Sequence, residues 1–191
     1  RLTKALQTRK AEPPKCEAAW NLIAGENLPW TKEIWPYIST NLTSPADDKQ
    51  QFLHQHRRVT HRGNDSRCAS TLCRLGCGAV ESHLHFEQCT APASVNVRRY
   101  VLKLARALGT TPATSFLFWT ARLDAERKHL NMPTRALIAL WRRINYKHLT
   151  SFELDYSPYS TKIIKDEIAR TFMSRILAAQ LHRRNYYLDK L

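Results

Sequence analysis

Glycine is scarce in this chain, with five in 191 residues. Enzymes built on phosphate-cradling loops or on many strands need more, so the composition argues against a nucleotide-binding sheet. No apolar run approaches the roughly 20 residues needed to cross a bilayer, and the start lacks the basic-then-apolar order of a secretory signal. An intracellular protein with no membrane partner is expected. Acidic residues are also few: 16 against 30 lysines and arginines, for a net charge of +14. A polyanion is the simplest partner for that imbalance. Outside one short segment, cysteine is limited to Cys16. An odd, clustered total of five fits a reducing compartment better than a disulfide framework. The chain opens on Arg1 and is expected to be a piece of something longer.

Chemistry is concentrated between Cys68 and Cys89, where four of the five cysteines and two of the eight histidines fall within 22 residues. Thiolates and imidazoles this close can converge on one tetrahedral ion, and Zn²⁺ favours that soft donor set. The best ligand set is Cys73, Cys77, His85 and Cys89, in the pattern C-x3-C-x7-H-x3-C. Gly76 and Gly78 flank the second cysteine, where a tight turn needs backbone angles that glycine adopts cheaply. Two alternatives stay open at this level: Cys68 in place of Cys73, and His83 in place of His85. A bland alternative is a group of reduced, half-buried cysteines with exposed histidines.

The run Cys77-Gly78-Ala-Val-Glu81-Ser82-x-x-His85-Phe-x-x-Cys89 resembles the zinc-binding knuckle that follows the polymerase domain in LINE-type (non-LTR) retrotransposon reverse transcriptases. That family typically reads C-x-x-C-G-x-x-E-[ST]-x-x-H-[LF]-x-x-C. The x3 spacing between Cys73 and Cys77 departs from its x2. The specific match covers about residues 68 to 90. Trp35-Pro-Tyr and Phe52-Leu-His-Gln-His-Arg-Arg-Val59 loosely echo the family's upstream tryptophan-bearing helix and basic W-x-x-H region. The resemblance implies a zinc cofactor and RNA or DNA as partner, with a reverse transcriptase core in the same parent chain and residence in nucleus and cytoplasm. It also implies an RNA-directed DNA polymerase as parent, with no catalytic residue in this segment. A stand-alone zinc-dependent protein-interaction module is the competing expectation.

The rest of the chain reads as helix, being rich in Leu, Ala, Arg and Lys. The fold class expected is mainly α, with helical segments at 1–66 and 92–191 flanking a small zinc knuckle at 67–91. Short helices are expected near Ala18 to Ile23 and Trp30 to Trp35, and a longer one from about Pro45 to Val59. Downstream, Val97, Val101, Leu104 and Leu108 fall at helical spacing and Gly109 ends the run. Phe116 to about His129 is expected to be helical. Thr134 is expected to open a helix with Leu137, Leu140, Trp141 and Ile144 on its core face, and a last helix runs from about Ser160 to Arg184. No strand is expected beyond the knuckle. Trp20, Trp30, Trp35, Trp119 and Trp141 read as core.

Asp47-Asp48 superficially resembles the metal-binding pair of a polymerase, but it follows Pro45-Ala46 at a helix start, where acids complement the dipole. Glu153, Asp155, Asp166 and Glu167 with Lys162 or Lys165 are the local candidates for a nuclease. They lack the Pro-Asp core and the following carboxylate-x-Lys, so no nuclease is expected. Arg57, Arg58, Arg62, Arg67 and Arg74 lead into the knuckle and are the candidate phosphate contacts, with His54, His56 and His61 interleaved.

Overall fold

The computed structural model describes residues 18, 22, 42–55, 59, 61–66, 68–82, 85–110, 131–154 and 159–188. The first long helix, α1 (Pro45–Gln55), starts on a reciprocal cap. The Ser44 N–H donates to Asp47 Oδ2 at 2.8 Å and the Asp47 N–H to Ser44 Oγ at 3.3 Å, a capping box with aspartate in the third position. Asp47 is therefore a capping residue, as its setting in the sequence suggested. A 3₁₀ turn (Arg62–Asn64) and a one-turn helix, α2 (His85–Gln88), bracket the cysteine-rich hairpin. Three long helices follow: α3 (Pro92–Ala107), α4 (Met132–Leu154) and α5 (Thr161–Leu188).

Helix α3 begins with Pro92 at its first position, where a missing N–H costs nothing. It ends on a Schellman motif: the Thr110 N–H donates to the Ala105 carbonyl at 3.1 Å and the Gly109 N–H to Arg106 at 3.0 Å. Gly109 has φ of 78° there, the left-handed conformation that glycine supplies at helix ends. The start of α4 differs from expectation. Asn131 is the cap, its Oδ1 accepting the Thr134 N–H at 2.9 Å. Thr134 lies inside the first turn, buried against Thr110 with their hydroxyls 2.9 Å apart. Both residue types cap helices, and Pro133 fits the first turn better than the position before it.

Helix α4 is the centre of the bundle. Every residue from Ala136 to Trp141 is buried, as expected of a helix covered on several sides, and it packs against α1, α3 and α5. Val97, Val101 and Ala105 of α3 meet Leu137, Leu140, Trp141 and Ile144 of α4 and Ile164, Ile168 and Phe172 of α5. Each large aliphatic side chain buried there contributes about 1.5–3 kcal/mol, so these helices have a core of their own. Leu104 and Leu108 pack at its edge. The α1 start is fastened to the bundle through Asp47, whose buried carboxylate meets Arg143 Nε and Arg175 Nη1, each at 2.6 Å.

The protein is mainly helical, with four long helices and no strand among the described residues; the hairpin contributes a single antiparallel bridge, Leu72 to Val80. No helix among the described residues is long and apolar enough to cross a membrane. Trp141 is in the core. Trp20, Trp30, Trp35 and Trp119 lie outside the described residues, as do the segments expected around them apart from Ala18 and Leu22, which are helical and exposed.

Candidate metal centre

The hairpin is closed by the Glu81 N–H donating to the Thr71 carbonyl and the Cys73 N–H to Ala79, both at 2.8 Å. Inside it the chain reverses twice, through Gly76 at φ 75° and Gly78 at φ 82°. These angles fold the loop back so that Cys73 and Cys77 face one point. The other two donors are His85, the first residue of α2, and Cys89, the residue that follows it. The Ser82 hydroxyl and carbonyl accept the His85 N–H at 3.2 and 3.0 Å, and the Cys89 N–H donates to the His85 carbonyl at 2.7 Å. One helical turn thus places His85 and Cys89 on the same side.

The donor atoms of Cys73, Cys77, His85 and Cys89 all lie within 4.8 Å of one another. Cys73 Sγ and Cys89 Sγ are 3.7 Å apart, and Cys77 Sγ is 3.4 Å from His85 Nε2. Around a tetrahedral ion with bonds of about 2.3 Å to sulfur and about 2.0–2.1 Å to nitrogen, those edges are about 3.8 and about 3.6 Å. A disulfide would need about 2.05 Å, and all the described cysteines are free. These four side chains can therefore hold one metal ion. Cys68, the alternative first ligand, is outside the group; His83 lies outside the described residues.

Burial pushes the Cys89 thiol up to about 12, and the neighbouring Cys73 and Cys77 add to the shift. Burial also acts to raise Cys77, but hydrogen bonding from the Ala79 amide and from the Cys73, Cys89 and Thr90 side chains outweighs it and leaves Cys77 below the usual thiol range. His85 is lowered, first by burial, with Arg98 adding and Glu81 opposing. A neutral imidazole is the form that ligates a metal. The Leu75 N–H donates to Cys73 Sγ at 3.3 Å, a contact that favours the thiolate.

Around the cluster lies a polar frame. Glu81, 1% exposed, accepts the Arg62 N–H at 3.0 Å, the Arg74 N–H at 3.4 Å and Arg74 Nε at 2.9 Å. Arg74 Nη2 closes the pair, and its Nη1 donates to the Leu149 carbonyl of α4 at 2.9 Å. On the other side, Arg98 of α3 donates to the Cys89 carbonyl at 2.8 Å. Tyr159, held protonated by burial, donates to Asn145 Oδ1 at 2.6 Å beneath the same wall.

Of the five candidate phosphate contacts, Arg74 is withdrawn from solvent by Glu81 and Leu149, and a guanidinium so placed positions the hairpin and cannot reach a phosphate. Arg62 is half-buried, its Nη1 on the Leu72 carbonyl at 3.2 Å. Arg57, Arg58 and Arg67 lie outside the described residues. Within the nuclease candidates, Glu167 is 3.0 Å from Lys147 and 2.8 Å from His148. In the sequence Glu81 stands at the glutamate of the resembled motif, and the signal for its clamp is that it is the lone acid between Asp65 and Glu87 in a basic segment. No protein-family model, no curated protein and no solved structure matches the chain.

Proposed function

We propose that this chain is the zinc-binding, nucleic-acid-binding region on the C-terminal side of a non-LTR retrotransposon reverse transcriptase. In that role it helps the polymerase of the same parent chain hold template RNA or target DNA, and it catalyses nothing itself. The supporting observation is the convergence of Cys73, Cys77, His85 and Cys89 within 4.8 Å, the last three at positions of the motif that the sequence resembles and Cys73 one residue before the motif's first cysteine. Three thiolates and one imidazole suit Zn²⁺, and four protein ligands leave no open position, the mark of a structural site. Bound zinc would supply the positive charge that keeps three packed thiols ionised. Residues of the chain do the rest: Glu81 and Arg74 fix the hairpin against α4, and Arg98 fixes Cys89 against α3. The net charge of +14 favours a polyanionic partner.

The competing reading, a zinc-dependent protein-interaction module, draws on Met173, Leu177 and Leu181, which are exposed at four-residue intervals along α5. Protein purified without added metal is expected to carry close to one zinc per chain by elemental analysis. Cys77→Ser or Cys89→Ser should lose it and Cys68→Ser should keep it. A zinc-free protein with an intact hairpin refutes the metal assignment. A Phe/Tyr-x-Asp-Asp segment encoded upstream of Arg1 separates the reverse transcriptase from the interaction module.

A further inference from the structure

The described basic side chains divide into two sets. Many are engaged inside the protein: Arg74 with Glu81, Arg143 and Arg175 with Asp47, Arg98 with the Cys89 carbonyl, and Lys147 with Glu167. Arg99, Lys103 and Arg106 of α3 are not. All three are exposed, and among the described residues no side-chain hydrogen bond or ion pair engages them.

Their spacing of four and three residues sets them in one arc of roughly 60° along about 10 Å of helix. The opposite face carries Val97, Val101 and Ala105 into the core, so the row is held outward. The sequence has no acidic residue between Glu87 and Asp124, and Asp166 of α5 approaches α3 at Tyr100, on the flank of the row. Three uncompensated cations in a line repel one another and attract a chain of anions.

We infer that the outer face of α3 is a phosphate-tracking surface for single-stranded nucleic acid, with Arg99, Lys103 and Arg106 each contacting the phosphodiester backbone. The inference rests on the nucleic-acid reading above and adds a contact on a helix after the hairpin to the arginines expected before it. Guanidinium forks at both ends suit paired phosphate oxygens, and the central lysine is a flexible point charge. Contacts to the phosphodiester backbone are the same in every sequence, so binding through this row depends little on sequence. The row is also tied to the metal centre. Ala91 is buried with Cys73 and Cys89, and Arg98, the residue before the row, holds the Cys89 carbonyl through Nη1 at 2.8 Å.

The test measures the affinity of the zinc-loaded protein for unstructured 20-nucleotide RNA and DNA strands of mixed sequence between 50 and 200 mM salt. Each phosphate contact on a single strand adds about −0.7 to the log–log slope. Replacing Arg99, Lys103 and Arg106 together by glutamine should therefore flatten the slope by about 2. Over a fourfold change in salt, the wild type should lose about 20-fold more affinity than the variant. Removing three cations from elsewhere, with Lys49→Gln, Lys147→Gln and Arg170→Gln, should change the slope by less than half as much. The charge-preserving set Arg99→Lys, Lys103→Arg and Arg106→Lys should keep it. Helicity and zinc content identical to wild type exclude loss of fold as the cause.

An unchanged slope in the glutamine variant, with wild-type binding intact, overturns the α3 assignment alone. No binding of either strand by the wild type overturns the nucleic-acid reading as well. Binding of poly-glutamate through the same three residues, with no binding of RNA or DNA, would assign the face to an acidic protein and overturn the inference. Equal slopes for RNA and DNA are expected, because the contacts stop at phosphate.

Discussion

Glu81→Gln changes the shape of one side chain hardly at all, yet it should be among the most damaging substitutions in this protein. The carboxylate and its partner are sealed from water, with side chains 3% exposed for Arg74 and 2% for Glu81. Four N–H groups converge on its two oxygens. Glutamine keeps one oxygen and turns the other into a donor that faces donors. The Arg74 guanidinium then retains the Leu149 carbonyl but loses its counter-charge. Breaking one partner of a buried ion pair costs about 3–5 kcal/mol, and each kcal/mol moves the midpoint of a chain this size by about 2–4 °C. A fall of about 6–20 °C is expected by thermal denaturation at neutral pH with zinc in excess. Adding Arg74→Met should recover part of the loss, because the stranded charge goes with it. The pH profile supplies a second readout. Burial acts to raise Glu81, but hydrogen bonds from Arg74 and the Arg62 amide, with the Arg74 charge, hold it below the usual 4.5. A depressed carboxyl stabilises the fold above that value, and its contribution is lost as pH falls below 4.5 and through the depressed value. The wild-type advantage over Glu81→Gln should therefore shrink in acid, and metal loss there affects both proteins alike. A cost under 1 kcal/mol, or an Arg74→Met loss that simply adds, would refute the clamp.

Chelation should raise hydrogen exchange sharply across residues 68 to 90 and modestly in α3, α4 and α5. Metal-binding energy is folding energy in a segment without a core, whereas the helices bury Leu137, Leu140, Ile144, Ile164 and Ile168; uniform exchange along the chain would show that the metal supports the whole fold. Gly109→Ala should cost about 1–2 kcal/mol in urea denaturation, because its positive φ is strained for any side chain while the space around it is open. Gly63→Ala should cost more despite an ordinary backbone angle, since its Cβ would collide with the Glu81 carbonyl; a smaller loss at Gly63 than at Gly109 would reverse that ranking.

The long helices were legible in the sequence because their cores repeat every three to four residues. Val97 and Val101, then Leu137, Leu140, Trp141 and Ile144, are buried as their spacing implied. The cap at Asp47 was legible for the same reason, since it involves a neighbour three residues away. The two arginines that complete that site are not local: Arg143 and Arg175 arrive from α4 and α5, far along the chain, and nothing in either segment points back to Asp47. The metal cluster was legible because ligand spacing is short. Spacing already favoured Cys73 over Cys68, and the hairpin, closed by the Cys73 N–H on the Ala79 carbonyl, brings Cys73 to the other three donors.

Arg74 marks where composition misleads. In the sequence it is one of several arginines beside a metal loop, and phosphate contact is the natural inference from charge alone. What decides its role is the acid seven residues on, which the hairpin folds directly against it. A buried carboxylate with two backbone N–H donors already in place binds a guanidinium tightly enough to withdraw it from solvent. The same logic applies to Arg98, which holds a backbone carbonyl beside the metal centre, and not to Arg99, one residue further along the same helix. Adjacent arginines differ by about 100° around α3, so one locks the metal centre to the bundle while the next faces water. The +14 net charge therefore overstates what a partner can reach, and the available charge is set by which face of each helix the carboxylates and carbonyls of the fold have left unoccupied.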